Sequence, residues 1–239
     1  MFADYLLRNI DGMTPIDYLS QIYHGHEPAS LTFERRGHVY GPLRLTAGWA
    51  PALEPSRGLV ASVERLRALV STEEFVKDKT AMFLVRDPRD MLVSMYYSFG
   101  FSHGFSPVPE IRECQEQDRR EIQGLTIDEF ALTRVAHILA KFDEVERLSG
   151  ACRRGVVLRY EDMIDKWDHF VDGLTRLLEI QPRVLKELYQ RSRPREVEDV
   201  AAHRRSGRPG GFRAKLKPET IASLNVLLSR VLGRFRYDA

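Results

Sequence analysis

The chain has 239 residues, enough for one substantial core, so a single domain over 1–239 is the expectation. Its 36 basic and 34 acidic side chains leave a formal net charge of +2, too weak a whole-surface field to imply nucleic acid or an anionic membrane as partner. Cys114 and Cys152 are too few for a disulfide framework and lack metal-site spacing, and no apolar run is long enough to span a bilayer. Together with the absence of a basic-then-apolar start, this predicts a cytoplasmic chain with no transmembrane segment; it gives nothing on oligomeric state.

Short apolar runs alternate with longer helical patterns, which predicts an α/β fold. Phe2, Tyr5, Leu6 and Ile10 recur at helical spacing before the Asp11-Gly12 stop. A second helix is expected near Thr14-Pro15, with Thr14 as cap and Pro15 at the first helical position. "HVYGPLRLT" reads as a strand starting at His38, and "GLVASVERLRALV" as a helix with Val60, Val63, Leu66 and Val70 on one side. "TAMFLV" is a wholly apolar run of strand length, the pattern of a parallel strand covered on both faces. Residues 100–124 are polar, contain proline and lack a period, which predicts a long loop or lid. Thr126 with Glu129 forms a capping box for the longest helix. "GVVLRY" is a second buried strand, followed by one continuous helix over "EDMIDKWDHFVDGLTRLLEI". "PRVLKELYQRS" is a shorter helix, the stretch from Arg193 to Lys217 is polar, and the last helix starts at Pro218.

Chemistry concentrates where the apolar strand meets its helix, at "RDPRDMLVS". Asp87 can cap the helix, Pro88 suits its first position, and Asp90 complements the helix dipole. Arg86 then stands at the carboxyl end of a strand, where open α/β sheets bind ligands. Ser94, seven residues after Asp87, projects from the same helix face as the cap. A guanidinium fork and a hydroxyl so placed can grip one phosphate. The plainer alternative is an Arg86–Asp90 ion pair with Ser94 a small surface residue. Near the carboxyl end, "RSGRPGGFR" combines three glycines and a proline with Arg205, Arg208 and Arg213, a backbone able to wrap an anion with bare amides. Its plainer alternative is a solvated basic loop.

These three segments, in this order, resemble the sulfotransferase superfamily that uses 3'-phosphoadenosine 5'-phosphosulfate. "RDPRDMLVS" is similar to that family's 3'-phosphate motif, whose Arg and Ser fall on Arg86 and Ser94. "LRYEDM" resembles the strand-end segment that puts Tyr160 by the adenine. "RSGRPGG" with Phe212 has the spacing of the R-K-G-x-x-G-D-W loop, which assigns Arg205, Ser206, Gly207 and Gly210 to phosphate binding. Ser206, Gly211 and Phe212 depart from that pattern at its Lys, Asp and Trp positions, removing one charge and an indole.

The resemblance spans roughly residues 75–237. It implies a three-layer parallel sheet flanked by helices, of the P-loop nucleotide-hydrolase-like kind. It also implies a truncated amino terminus, since the family's first strand and its Gly- and Ser-rich 5'-phosphosulfate loop have no counterpart here. The implied reaction is sulfuryl transfer to a hydroxyl or amine of a small-molecule or glycan acceptor, with no metal. Base catalysis falls to His103, on the stretch expected to border the acceptor. The alternatives are a nucleotide-binding remnant or interaction protein that transfers nothing, and a relative of P-loop kinases.

Overall fold

The computed structural model describes residues 2–26, 28, 30–43, 58–194 and 207–238. Within them the elements run α1 (Phe2–Leu7), β1 (Thr14–Ile16), α2 (Tyr18–Tyr23), β2 (His38–Tyr40), α3 (Gly58–Val70), α4 (Glu73–Val76), β3 (Thr80–Val85) and α5 (Pro88–Tyr97). A π-helical turn, Ser98–Ser102, follows, then α6 (Pro109–Gln123), α7 (Ile127–Ala151), β4 (Arg154–Arg159), α8 (Tyr160–Asp165), α9 (Trp167–Thr175) and α10 (Pro182–Ser192). A 3-10 turn, Gly211–Ala214, leads to α11 (Pro218–Leu227) and α12 (Ser229–Arg234). The fold is mixed α/β, mostly helical, with two small parallel sheets among the described residues: β1 with β2, and β3 with β4. No described helix is long and apolar enough to cross a membrane.

The β3–β4 pair carries the centre of the molecule. All six residues match in register, from Thr80 opposite Arg154 to Val85 opposite Arg159. Because side chains alternate along a strand, Phe83 and Val85 share one face, and both are buried, Phe83 beside Leu148 of α7 and Val85 beside Leu92 of α5. Coverage of the opposite face is incomplete, because Leu84 remains 41% exposed. The expectation of a strand covered on both faces therefore holds for one.

Three local expectations need correction. Thr14-Pro15 does not open a helix. Thr14 donates its amide to the Gly37 carbonyl at 2.8 Å and begins β1, and a two-stranded edge tolerates Pro15 because its missing N–H faces no second neighbour strand. The helix starts instead at Tyr18, where the Asp17 carboxylate accepts from the Ser20 amide at 2.8 Å. Residues 100–124 are no loop: Pro109–Gln123 is a fifteen-residue helix. Its buried stripe is Ile111, Cys114, Gln115, Asp118 and Ile122, so the helical period is there but two of its inward positions are polar. The helix expected over residues 161–180 breaks at Lys166, whose backbone (φ −135°, ψ 58°) separates α8 from α9.

The Thr126–Glu129 capping box forms as expected, with the Glu129 carboxylate accepting from the Thr126 amide at 2.8 Å. Midway along the helix it starts, half-buried His137 has a ring nitrogen, Nε2, without a hydrogen-bond partner among the described residues. Burial, reinforced by the cations Lys141, Arg134 and Arg67, lowers the imidazole pKa from 6.5 to about 4. The unfolded chain therefore binds a proton between about pH 6.5 and 4 that the folded chain refuses, and stability falls as pH drops through that window. Thermal melts across it are expected to show a flatter decline for His137→Gln than for the unsubstituted chain.

Candidate phosphate-binding site

In-register pairing of β3 and β4 brings their carboxyl ends side by side, so the next residues, Arg86 and Tyr160, become neighbours. The Arg86 guanidinium carbon lies 4.8 Å from the Tyr160 ring centroid, within cation–π range. The first helical turn after Arg86 is sharply fixed. Asp87 accepts from the Arg89 amide at 2.9 Å as N-cap, and Pro88 occupies the first position.

Asp90, 2% exposed, does more than complement the helix dipole. Its carboxylate accepts from the Gly210 amide at 2.6 Å and from the Phe212 amide at 2.9 Å, which draws the glycine segment onto the start of α5. Gly210 has φ 77°, the left-handed region open to glycine, and an added Cβ would meet Arg213 Nη1 at 3.0 Å. From the other strand, the Tyr160 hydroxyl donates to the Gly207 carbonyl at 2.5 Å. Arg86, Tyr160, Gly207 and Gly210 are thus tied into one constellation through Asp90 and the Tyr160 ring. One expectation changes with it: the Gly210 amide is committed to Asp90, so this glycine positions the segment and does not offer a bare amide to an anion.

The Arg86–Asp90 pair exists, but at 3.7 Å from Nη2 to Oδ2 it is an ion pair without a hydrogen bond, and Asp90 already holds two amides. Arg86 Nε is buried with no hydrogen-bond partner among the described residues. A desolvated donor of this kind is a cost that a bound acceptor would relieve. Ser94 lies one turn beyond Asp90 on the same face of α5, half-buried, and its hydroxyl makes no hydrogen bond among the described residues. Arg205 and Ser206 lie outside the described residues. Of the other loop arginines, Arg208 is exposed, and Arg213 stacks over the Phe212 ring at 4.7 Å.

His103 follows the π-helical turn and lines a small cavity with Tyr23, Phe99, Phe105, Asp118 and Arg119. Neither Arg86, Ser94 nor Tyr160 lines it. Arg119 braces this turn by donating to the Phe99 carbonyl at 3.1 Å and to the His103 carbonyl. Burial raises the Asp118 carboxyl pKa, opposed by nearby Arg134 at 3.0 Å.

Sequence reasoning missed the group behind the turn. Arg89, 1% exposed, donates Nε to Asp87 Oδ1 at 3.0 Å, Nη2 to Asp87 Oδ2 at 2.8 Å and to the Asp238 carbonyl, and Nη1 to Asn225 Oδ1 at 2.6 Å. Its guanidinium also lies 4.2 Å from the Phe212 ring centroid. Glu161 accepts from the Asp87 amide at 2.8 Å, and burial raises its carboxyl pKa. Tyr237, 7% exposed, has its hydroxyl pKa raised by burial and its ring under the Arg159 guanidinium at 4.4 Å. No protein-family model, no curated protein and no solved structure matches the chain.

Proposed function

We propose that the carboxyl ends of β3 and β4 bind the 3'-phosphate of 3'-phosphoadenosine 5'-phosphosulfate. On this reading the chain is a sulfotransferase that moves the sulfuryl group to a hydroxyl or amine of a small-molecule or glycan acceptor, within a three-layer parallel α/β fold of the P-loop-like kind. The observation that carries the reading is Arg86: a guanidinium at a strand end, seated on Tyr160, whose buried Nε has no partner among the described residues. Such a fork gives two charge-assisted bonds to a phosphate, and Ser94 on α5, whose hydroxyl makes no hydrogen bond among the described residues, would give a third. On this reading the adenine lies beside Tyr160, which its bond to Gly207 anchors. Arg205 and Ser206 remain part of the proposal through the sequence resemblance alone.

A second reading, nucleotide binding without transfer, is favoured by the place of His103. It lines a cavity that none of Arg86, Ser94 and Tyr160 shares, so the base assigned to the reaction has no support from the geometry around the phosphate site. Calorimetry with 3',5'-bisphosphoadenosine, 5'-AMP and ATP, followed by a labelled-sulfate transfer assay, separates these readings. The bisphosphate is expected to bind tighter than 5'-AMP by about a hundredfold or more, since the two charge-assisted bonds from Arg86 are worth roughly 1.5–3 kcal/mol each. Preference for ATP would favour a P-loop kinase relative, and no binding of the bisphosphate would overturn the proposal. Transfer of label would select the enzyme, whereas binding without transfer would select the second reading.

A further inference from the structure

We infer that Glu161 is a positioning residue for Arg86: its carboxyl oxygen fixes the Arg86–Asp87 peptide and with it the aim of the guanidinium. The inference rests on the phosphate-binding reading of Arg86. It begins from an incomplete cap on α5. In a capping box the side chain at the third helical position reaches back to the amide of the capping residue. Here that position is Asp90, whose two oxygens are taken by the Gly210 and Phe212 amides. The Asp87 amide would be left without an acceptor, and Glu161 supplies one from the end of the other strand, at 2.8 Å across a separation of 74 residues.

The Asp87 N–H belongs to the same rigid peptide plane as the Arg86 carbonyl. Holding that N–H therefore sets the direction in which Arg86 leaves the end of β3. Residue 160 puts the ring under the guanidinium and residue 161 holds the peptide behind it, so one dipeptide at the exit of β4 defines both the seat and the aim. The bond uses one oxygen of a side chain that is 12% exposed. Its other oxygen is buried with no hydrogen-bond partner among the described residues, 3.9 Å from Arg159 Nε. Burial favours the uncharged carboxyl and outweighs the opposing pull of the Asp87 amide and of Arg159, with the nearby Asp87 carboxylate adding a smaller push the same way. The structure thus asks position 161 for an acceptor of the right reach and not for a negative charge.

That distinction is testable in the full chain with 3',5'-bisphosphoadenosine as probe, by calorimetry and thermal melts on Glu161→Ala, Glu161→Gln and Glu161→Asp. Glu161→Gln keeps the accepting oxygen at the same distance and is expected to bind within about twofold of the unsubstituted chain. Glu161→Ala and Glu161→Asp, which remove or retract the acceptor, are expected to weaken binding about tenfold or more, the scale of one lost hydrogen bond to a buried donor. They should also reduce the preference for the bisphosphate over 5'-AMP. If Glu161→Ala does not fold, the Gln–Asp comparison decides alone. Equal affinity and selectivity across the folded variants would overturn the positioning role while leaving the nucleotide reading intact. Loss in Glu161→Gln equal to that in Glu161→Asp would overturn it too, by showing that charge is what counts. No binding by the unsubstituted chain would overturn the nucleotide reading, and the role given to Glu161 with it.

Discussion

Arg86→Ala is expected to weaken binding of 3',5'-bisphosphoadenosine about a hundredfold while shifting the melting transition little. The affinity figure follows from the loss of two charge-assisted hydrogen bonds to one phosphate, about 3 kcal/mol or more. The small stability effect follows from what Arg86 does in the chain alone. Its ion pair with Asp90 is long, and Asp90 keeps both amide donors when the guanidinium is gone. Its contact with Tyr160 is a cation–π interaction at a partly exposed position, worth about 0.5–1 kcal/mol. Removing the unpartnered Nε also removes a buried donor that the folded chain does not satisfy among its described residues. Arg86→Lys should recover only part of the affinity, because an ammonium cannot present two parallel donors to one phosphate. Calorimetry and thermal melts on the three proteins check this. Undiminished binding by Arg86→Ala would sink the phosphate assignment, and a large drop in melting temperature would show that Arg86 serves the fold.

The local half of this site could be read from the sequence, and the distant half could not. Asp87, Pro88 and the apolar run before them announce a strand, a cap and a helix in ten residues, and each stands where those residue types put it. Asp90 reads as a helix-dipole partner by the same local rules. Its bonds to Gly210 and Phe212 cross 120 and 122 positions and leave no mark on the pattern around residue 90. Arg89 is the sharper case. An arginine in the first turn of a helix, with an aspartate one position after it and another two before it, reads as a solvated side chain, yet it is 1% exposed and reaches Asn225 and Asp238. A clue was present in the polar character of α5's first turn, whose buried positions include Pro88, Arg89 and Asp90, but burial itself is set by the carboxyl-terminal segments that pack over it. Helix α6 failed for a related reason: Gln115 and Asp118 face inward because Ser106 and Arg134 are there to satisfy them, so apolar periodicity understates the buried stripe.

Arg89→Met is the substitution expected to damage the fold most. Arg89 is buried and joins four parts of the chain: Asp87 at the cap of α5, Asn225 in α11, the Asp238 carbonyl, and the Phe212 ring. A thioether of similar length can keep the contact with Phe212 but none of the donors. The Asp87 carboxylate, with side-chain exposure of 10%, would keep the backbone amide of position 89 as a donor but lose the guanidinium beside it. Breaking a buried pair in this way costs about 3–5 kcal/mol, a large part of the 5–15 kcal/mol that a typical domain has in total. For a chain of this length that corresponds to a fall in melting temperature of about 6–20 °C. Arg89→Lys should fall between, since one ammonium cannot reach Asp87, Asn225 and the Asp238 carbonyl together. The double variant Asp87→Asn, Arg89→Met removes the stranded charge yet keeps a capping oxygen, so it is expected to be more stable than Arg89→Met alone, by about 1–2 kcal/mol. Melts of the unsubstituted chain, Asp87→Asn, Arg89→Met and the double variant form a cycle that isolates the pair. A double variant no better than Arg89→Met would mean that the orphaned carboxylate is not the source of the loss, and an Arg89→Met protein that melts like the unsubstituted chain would remove Arg89 from its place as the hub behind the site.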